Sequence, residues 1–219
     1  MTVKKDIEKL VLDYLNAAAN LYSYIPVKKL LEIYNSQNEP LTEKEFCYII
    51  EQTLKEGQFF DLFSEEEIVT GEPDDTPTSE KIILAEYLYC LGDFNDYFKL
   101  KEVTYGLPYH ILDKNSFLKY ADEFYVEKTL EFISLRAYFR NISSLSRDDA
   151  DDLAFEAAST LKFYEGDPGY ILDRMKYLKI FPKNQSEYNE LINLLSDLTR
   201  KVRLARLRGA TIEEMQDFL

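Results

Sequence analysis

The sequence predicts a mainly α-helical protein in which a short β segment separates two helical regions. Apolar residues recur at steps of three and four over most of the chain, which is the spacing of one buried helix face. Two capping boxes, Thr42 with Glu45 and Thr211 with Glu214, mark helix starts. Hydrophobic residues make up 46% and aromatic residues 14% of the 219 residues, which supplies a core and argues against a disordered chain.

Three helices are predicted first. Residues 3–21 form the first helix, Pro26 suits the first turn of the second, and Thr42 begins the third. Gly57 is placed to end the third helix. The buried face of the first helix is predicted to hold Ile7, Leu10, Val11, Tyr14, Ala18 and Leu21.

The stretch from residue 59 to residue 70 has a different pattern. Residues 59–63 are mostly aromatic, residues 64–67 can turn, and residues 68–70 are mainly β-branched, which predicts a hairpin of two short strands. Three helices followed by a hairpin is the element order of a winged-helix module. We therefore expect a three-helix plus β-hairpin, winged-helix-like module over residues 1–72, followed by an α-helical domain.

A linker is predicted at residues 71–78, which hold two prolines, one glycine and three acids but no large apolar residue. The helical domain is then expected over residues 79–219. Its first helix is predicted to begin at Ser79 and to run to about residue 91. That segment is apolar nearly all round, so we expect it to be buried.

Later helices are predicted from N-cap residues and from one long apolar seam. Asp113, Thr129 and Ser146 are placed to begin helices. The longest element is a predicted helix over residues 186–208, which Gly209 would end. The coiled-coil-like seam of this helix consists of Tyr188, Leu191, Leu195, Leu198, Val202 and Ala205.

The formal net charge of −14 bears on the kind of partner. Phosphate backbones and anionic membrane surfaces repel such a chain unless its basic residues gather on one face. Residues 1–75 hold 16 acidic and 7 basic residues, a net of −9, so a winged-helix-like module there is expected to bind protein rather than duplex DNA. Because no secretory signal or membrane-spanning run is recognisable, we expect a cytoplasmic protein.

The residues that could carry catalysis are few. His110 is the single histidine, Cys47 and Cys90 are the two cysteines, and no glycine-rich phosphate loop is present. The acid pairs Asp148-Asp149 and Asp151-Asp152 could bind a divalent cation, although a helix N-terminus followed by a solvated face explains them as well. We therefore predict no enzyme, no cofactor and no metal site.

A basic cluster near the end of the chain is the first candidate site. It comprises Arg200, Lys201, Arg203, Arg206 and Arg208, and it stands out in so acidic a sequence. One explanation is an anion-binding or partner-binding site. The other is structural, since cations near a helix C-terminus are stabilised by the helix dipole and pair with acids.

A segment with aromatic residues around two acids is the second candidate site. Tyr120, Asp122, Glu123 and Tyr125 could form an aromatic-acidic binding patch, and loop packing is the alternative. The chain holds 17 tyrosines, a residue enriched at protein interfaces.

Three segments carry a resemblance to a known family. The first is residues 24–34, and the second is residues 109–111 together with residues 117–125. The third is residues 191–215, which ends in Arg208-Gly209-Ala210-Thr211-Ile212-Glu213-Glu214-Met215. In this order they resemble the helical region of uncharacterised bacterial proteins that often carry a C-terminal SEC-C zinc motif. Arg203, Arg208 and Gly209 are the matching positions of the third segment. The cysteine-rich zinc motif is absent from this sequence, so the resemblance implies a helical fold and no zinc.

The leading functional hypothesis is a non-enzymatic protein-interaction or adaptor module with another protein as its partner. It rests on the acidic composition, the tyrosines and the missing catalytic groups. The second hypothesis is a nucleic-acid-linked regulator that uses the winged-helix-like module and the basic C-terminal helix. The third is a metal-dependent hydrolase built from the acid pairs.

Overall fold

The computed structural model describes residues 5–54, 58–90, 93–142, 145–163, 168–180 and 182–216. It is mainly α-helical, with a small antiparallel sheet of three strands near the N-terminus. The contacts divide the chain into two compact units, Met1–Tyr125 and Val126–Leu219, and each is described by itself.

The first unit combines the sheet with six helices among its described residues. The helices are α1 (Lys5–Tyr22), α2 (Val27–Gln37), α3 (Glu43–Thr53), α4 (Glu65–Thr70), α5 (Asn95–Val103) and α6 (Lys114–Lys119). The strands are β1 (Tyr24–Pro26), β2 (Phe60–Phe63) and β3 (Ile82–Ala85). Short 3-10 turns flank β3 at Thr78–Glu80 and Glu86–Leu88.

The three predicted helices at the start of the chain are confirmed. The Thr42 side chain accepts a hydrogen bond from the Glu45 amide, and the Glu45 carboxylate accepts one from the Thr42 amide, which completes the capping box of α3. α3 ends at Thr53, and the expectation that Gly57 ends it lies outside the described residues.

The predicted hairpin is half right. β2 forms where a strand was expected, but residues 65–70 form α4 instead of a turn and a second strand. The reason is local, since the Ser64 hydroxyl accepts a hydrogen bond from the Glu67 amide and the Glu67 carboxylate accepts one from the Ser64 amide. This second capping box overrides the β-branched character of the residues that follow.

The predicted helix at 79–91 is wrong, because Ile82–Ala85 form β3 and Glu86–Leu88 form a 3-10 turn. A short apolar run cannot be assigned to helix or strand by periodicity alone. All four residues of β3 are buried, which a central strand requires. β3 pairs antiparallel with β1 through Ile83 opposite Ile25, and with β2 through Ile83 opposite Leu62.

The position of β3 also bears on the expected boundary after residue 72. The central strand of the sheet follows the predicted linker at 71–78, and its two neighbours precede it. The linker segment therefore connects two parts of one sheet. The contacts group the chain through Tyr125 with the first unit, which differs from the predicted division into residues 1–72 and 79–219.

The core of the first unit surrounds α1. Tyr14, Leu15 and Tyr22 of this helix are fully buried. The Tyr14 ring lies 5.0 Å from that of Tyr34 and 5.2 Å from that of Phe117, so aromatic contacts join α1, α2 and α6.

The second unit contains five helices among its described residues. They are α7 (Leu130–Arg140), α8 (Arg147–Phe163), α9 (Gly169–Tyr177), α10 (Gln185–Lys201) and α11 (Ile212–Gln216). α7 packs against α8 and α10 around buried residues such as Leu135, Leu161 and Leu195. The predicted cap at Thr129 is confirmed by its bond from the Phe132 amide, and that at Ser146 by its bond from the Asp149 amide.

The long helix predicted at 186–208 is shorter in the structure. α10 ends at Lys201, Val202 is extended, and a 3-10 turn at Ala205–Leu207 follows. Two backbone bonds close this loop, from the Leu204 amide to the Ala210 carbonyl at 3.1 Å and from the Gly209 amide to the Leu204 carbonyl at 3.0 Å. Leu191, Leu195 and Leu198 of the predicted seam are buried in the helix, whereas its last two positions lie beyond it.

The predicted capping box at Thr211 is confirmed. The Glu214 amide donates to Thr211 Oγ1 at 3.1 Å, and the Thr211 amide donates to Glu214 Oε2 at 2.8 Å. Among the described residues, no helix is long and apolar enough to cross a membrane.

Candidate functional site

The structure distributes the basic cluster over several elements. Arg200 is exposed on α10, whereas Arg203 lies in the extended segment after this helix. Arg206 belongs to the 3-10 turn, and Arg208 has a left-handed backbone with φ of 52°. The four arginines therefore do not lie on one continuous helix, which is what the predicted helix over residues 186–208 implied.

Arg203 is held by acidic residues of its own unit. Its Nε lies 3.1 Å from Glu127 Oε1, and its Nη1 and Nη2 lie 2.8 and 3.0 Å from the two Glu214 oxygens. Nη1 also donates to the Gly209 carbonyl at 3.0 Å, and the Arg203 side chain is only 11% exposed. These contacts support the structural explanation for Arg203. The ion pair between Lys201 and Glu213 supports the same explanation for Lys201.

Lys162 is a partly buried charged residue that was not among the predicted site residues. It lies near the end of α8, and burial lowers the pKa of its ammonium group to about 7, while attraction to Glu127 acts in the opposite direction. The pattern contained a signal, because Lys162 follows the buried residues Ala154 and Ala158 at steps of four. Its charge thus lies on the apolar side of the helix.

The aromatic-acidic segment forms a packed turn. Tyr120 is buried, and its ring meets that of Tyr125 edge-on at 5.0 Å. The Asn20 side chain donates to the carbonyls of Tyr120 and Asp122 at 2.9 and 2.8 Å, which ties the turn to α1. Glu123 is exposed. Tyr120 and Tyr125 thus contribute to packing, and a binding role of this patch stays a prediction.

One residue of each acid pair has a structural partner. Asp149 Oδ2 accepts from the Ser146 hydroxyl at 2.6 Å, at the start of α8. Asp151 forms a two-bond ion pair with Arg140, and these hydrogen bonds lower the pKa of the Asp151 carboxyl. Within the described part of the chain, no group of three or more His, Cys, Asp or Glu residues could hold a metal ion.

His110, Cys47 and Cys90 lie in different segments of the first unit. The Tyr22 hydroxyl donates to the His110 backbone carbonyl at 2.9 Å, in the irregular segment before α6. Cys47 is partly buried on α3, and Cys90 is exposed. The two cysteines are not joined by a disulfide.

The outer face of α3 is an acidic and aromatic surface. Phe46, Ile49 and Ile50 are buried, and the opposite side exposes Glu43, Lys44, Tyr48, Glu51 and Gln52. The Thr78 hydroxyl donates to Glu51 Oε1 at 2.6 Å, so the connection between β2 and β3 lies against the end of this face.

Acidic residues also dominate that connection. Between residues 56 and 80 the sequence holds nine acidic residues and no basic one. Glu67 pairs with Lys81 at 3.1 Å and Glu65 with Lys101 at 2.6 Å, whereas Glu66, Glu72 and Asp75 are exposed. Over the whole first unit, 24 acidic and 12 basic residues give −12, against 16 and 14, or −2, in the second. The charge of the protein is thus concentrated in its first unit.

Comparison with protein-family models, with curated proteins and with solved structures gave no match for this chain. The resemblance to the helical region of SEC-C-associated proteins therefore stays a prediction.

Proposed function

We propose that the protein is a non-enzymatic, cytoplasmic protein-interaction module that acts as an adaptor, with a winged-helix-like module in its first unit. The element order supports this assignment: a helix, a strand, two helices and then two strands, with the short helix α4 and a 3-10 turn inserted between the last two strands. The sheet order β1-β3-β2, with the last strand in the centre, is that of a winged helix.

The acidic outer face of α3 is the observation that carries the proposal. In a winged helix that reads DNA, the helix at this position contacts bases and phosphates, largely through Arg and Lys. Here that face exposes Glu43, Tyr48 and Glu51 with a single basic residue, Lys44, among the exposed side chains. Acids beside a tyrosine favour a protein partner with a basic surface.

The nucleic-acid alternative is less well supported for two reasons. The net charge of −12 in the first unit would repel a phosphate backbone. The guanidinium of Arg203, the central residue of the basic cluster, is engaged by Glu127 and Glu214, and a phosphate would have to displace both.

Photo-crosslinking from α3 tests the proposal. A benzoylphenylalanine replaces Tyr48 in one form of the full chain and the 89% exposed Tyr105 in a control form. We expect one protein species to crosslink from position 48 in the native host and not from position 105. High salt should weaken the crosslink, because exposed charges are screened.

Nucleic-acid binding is measured on the same preparations by fluorescence anisotropy at low ionic strength. Duplex DNA and single-stranded RNA are expected not to bind. Salt-sensitive binding that the substitution Lys44→Glu abolishes would overturn the proposal and establish α3 as a nucleic-acid-reading helix.

A further inference from the structure

α9 has one buried face and one aromatic face. Ile171 and Met175 are 2% and 3% exposed and pack into the core of the second unit. On the other side, Tyr170 is 50% and Tyr177 78% exposed, and the next residue, Leu178, is 40% exposed. Single exposed apolar residues are ordinary, but three within nine residues of one short element form a patch.

Arg174 joins the two tyrosines into a ridge. Residues 170, 174 and 177 follow steps of four and three, so their side chains share one face of the helix. The Arg174 guanidinium lies 5.6 Å from the centre of the Tyr177 ring, and its Nε lies 2.8 Å from Glu156 Oε1. We call Tyr170, Arg174, Tyr177, Leu178 and Lys179 the α9 ridge.

Lys179 occupies a backbone position at which glycine is usual. The Ile180 amide donates to the Met175 carbonyl at 2.9 Å and the Lys179 amide to the Lys176 carbonyl at 3.0 Å, which is the Schellman pattern at a helix end. Lys179 has a φ of 57°, a left-handed conformation that disfavours a side chain. A lysine here keeps a charge on the ridge despite that cost.

Basic residues outnumber acidic ones around the ridge. Residues 174–183 hold four basic residues and no acidic one. Arg174 pairs with Glu156 and Lys176 with Asp173, whereas exposed Lys179 and Lys183 form no ion pair within the described part of the chain. Two uncompensated cations therefore lie within six residues of exposed Tyr177 and Leu178.

We propose that the α9 ridge is a docking site for an acidic, apolar-containing segment of a partner protein. Carboxylates of that segment face Lys179 and Lys183, and its apolar side chains pack on Tyr177 and Leu178. Tyrosine and arginine are the residues most enriched at the energetic centres of interfaces. The ridge belongs to the second unit, whose net charge is −2, and the acidic α3 face belongs to the first, whose net charge is −12. The adaptor thus offers one surface to a basic partner and another to an acidic partner.

A protein segment fits this ridge better than a nucleic acid. Double-stranded nucleic acid carries a charge about every 1.7 Å along its axis, and affinity for it depends on many phosphate contacts. Lys179 of the ridge and nearby Lys183 are two cations that form no ion pair among the described residues, and they belong to a chain whose net charge is −14. A short acidic segment needs only a few charge contacts and gains from the exposed apolar area.

The test is a titration of the full chain, followed through backbone amide NMR signals. The probes are a labelled 15-residue peptide of glutamate and leucine, a poly-glutamate of the same length, and a single-stranded RNA 15-mer. We expect the glutamate–leucine peptide to shift the signals of residues 174–180 and to bind more tightly than poly-glutamate. Lys179→Glu and Tyr177→Ser should each weaken binding by roughly tenfold, as for central interface residues.

Matched variants keep the test specific. Lys114→Glu and Tyr105→Ser make the same changes at residues of the first unit and are expected to leave peptide binding unchanged. Absence of shifts at 174–180 with the peptide, or equal losses in ridge and control variants, would overturn the proposal. Tighter binding of the RNA would overturn it in favour of a nucleic-acid surface. None of these outcomes depends on the α3 crosslink, so the two proposals fail separately.

Discussion

Arg203 and Glu214 form a two-bond ion pair that holds the loop after α10 against the start of α11. Nη1 lies 2.8 Å from Oε2 and Nη2 lies 3.0 Å from Oε1. Glu214 Oε2 also accepts from the Thr211 amide at 2.8 Å, so one carboxylate both caps a helix and binds the arginine. The loop conformation and the capping box are therefore coupled.

Removing this pair should destabilise the second unit. Glu214→Ala removes from Arg203, which is only 11% exposed, a carboxylate that makes two bonds to it, and it removes half of the capping box. We expect a loss of about 2 kcal/mol, between the values for exposed and fully buried pairs. Urea unfolding followed by circular dichroism, with hydrogen exchange at the α11 amides, measures it.

The neighbouring glutamate provides the control. Glu213 pairs with Lys201 on the surface, and Glu213→Ala should cost less than about 0.5 kcal/mol. Equal losses for the two glutamates would contradict a special role for the Arg203 pair.

Lys162 should make the stability of the protein depend on pH above neutrality. Burial lowers its pKa to about 7 in the folded state, from 10.5 for a solvated lysine. Between these values the unfolded state binds more protons, so the free energy of unfolding rises with pH. We expect a gain of roughly 1–2 kcal/mol between pH 7 and pH 9, and no contribution to the slope well below pH 7.

Lys162→Met should flatten that slope and raise stability near pH 7, since an uncharged side chain suits the partly buried site. Denaturant unfolding at a series of pH values measures the effect. Lys183→Met, at an exposed position, should leave the slope in place. An unchanged slope in Lys162→Met would show that the lysine is solvated when folded.

Asn20 should be essential to the turn at 120–125. It is 7% exposed and donates to the carbonyls of Tyr120 and Asp122 at 2.9 and 2.8 Å. Asn20→Ala leaves these carbonyls without those donors and should cost about 1–3 kcal/mol. Asn20→Asp should cost more at pH 7 than at pH 4, because a carboxylate repels the two carbonyls and its protonated form does not.

Thermal unfolding at both pH values distinguishes the Asn20 variants. Asn115→Ala and Asn115→Asp, at a position whose side chain makes none of the hydrogen bonds found in the described structure, serve as controls. Similar behaviour of the two positions would show that the bonds from Asn20 contribute little.

Replacing Lys179 with glycine should stabilise the second unit, whereas Lys179→Glu should weaken binding at the α9 ridge. Lys179→Gly relieves the left-handed strain at φ of 57° and should stabilise the second unit by about 1 kcal/mol. The same change at Lys176, inside α9, should destabilise by about 1 kcal/mol because glycine is a poor helix former. Chemical denaturation of the two variants gives the comparison, and equal signs would contradict the strain argument.

Helix starts were the features best predicted from sequence. Thr42, Asp113, Thr129, Ser146 and Thr211 all cap helices in the structure, because a capping side chain bonds to amides only two or three residues away. The roles of the candidate site residues could not be predicted in the same way. Arg203 and Tyr120 are conspicuous in sequence, but residues 76 and 100 positions away engage them.

The sequence by itself determined the mainly helical class, the cap positions and the acidic character, since these depend on composition and on neighbours within one helical turn. Tertiary structure decided that residues 82–85 form a strand, that α10 ends at Lys201, and that Lys162 is partly buried. An apolar run becomes a central strand only when two other strands supply its hydrogen bonds. Whether a charged side chain is enclosed or exposed likewise depends on segments that are distant in the sequence. The local spacing of residues does not encode those partners.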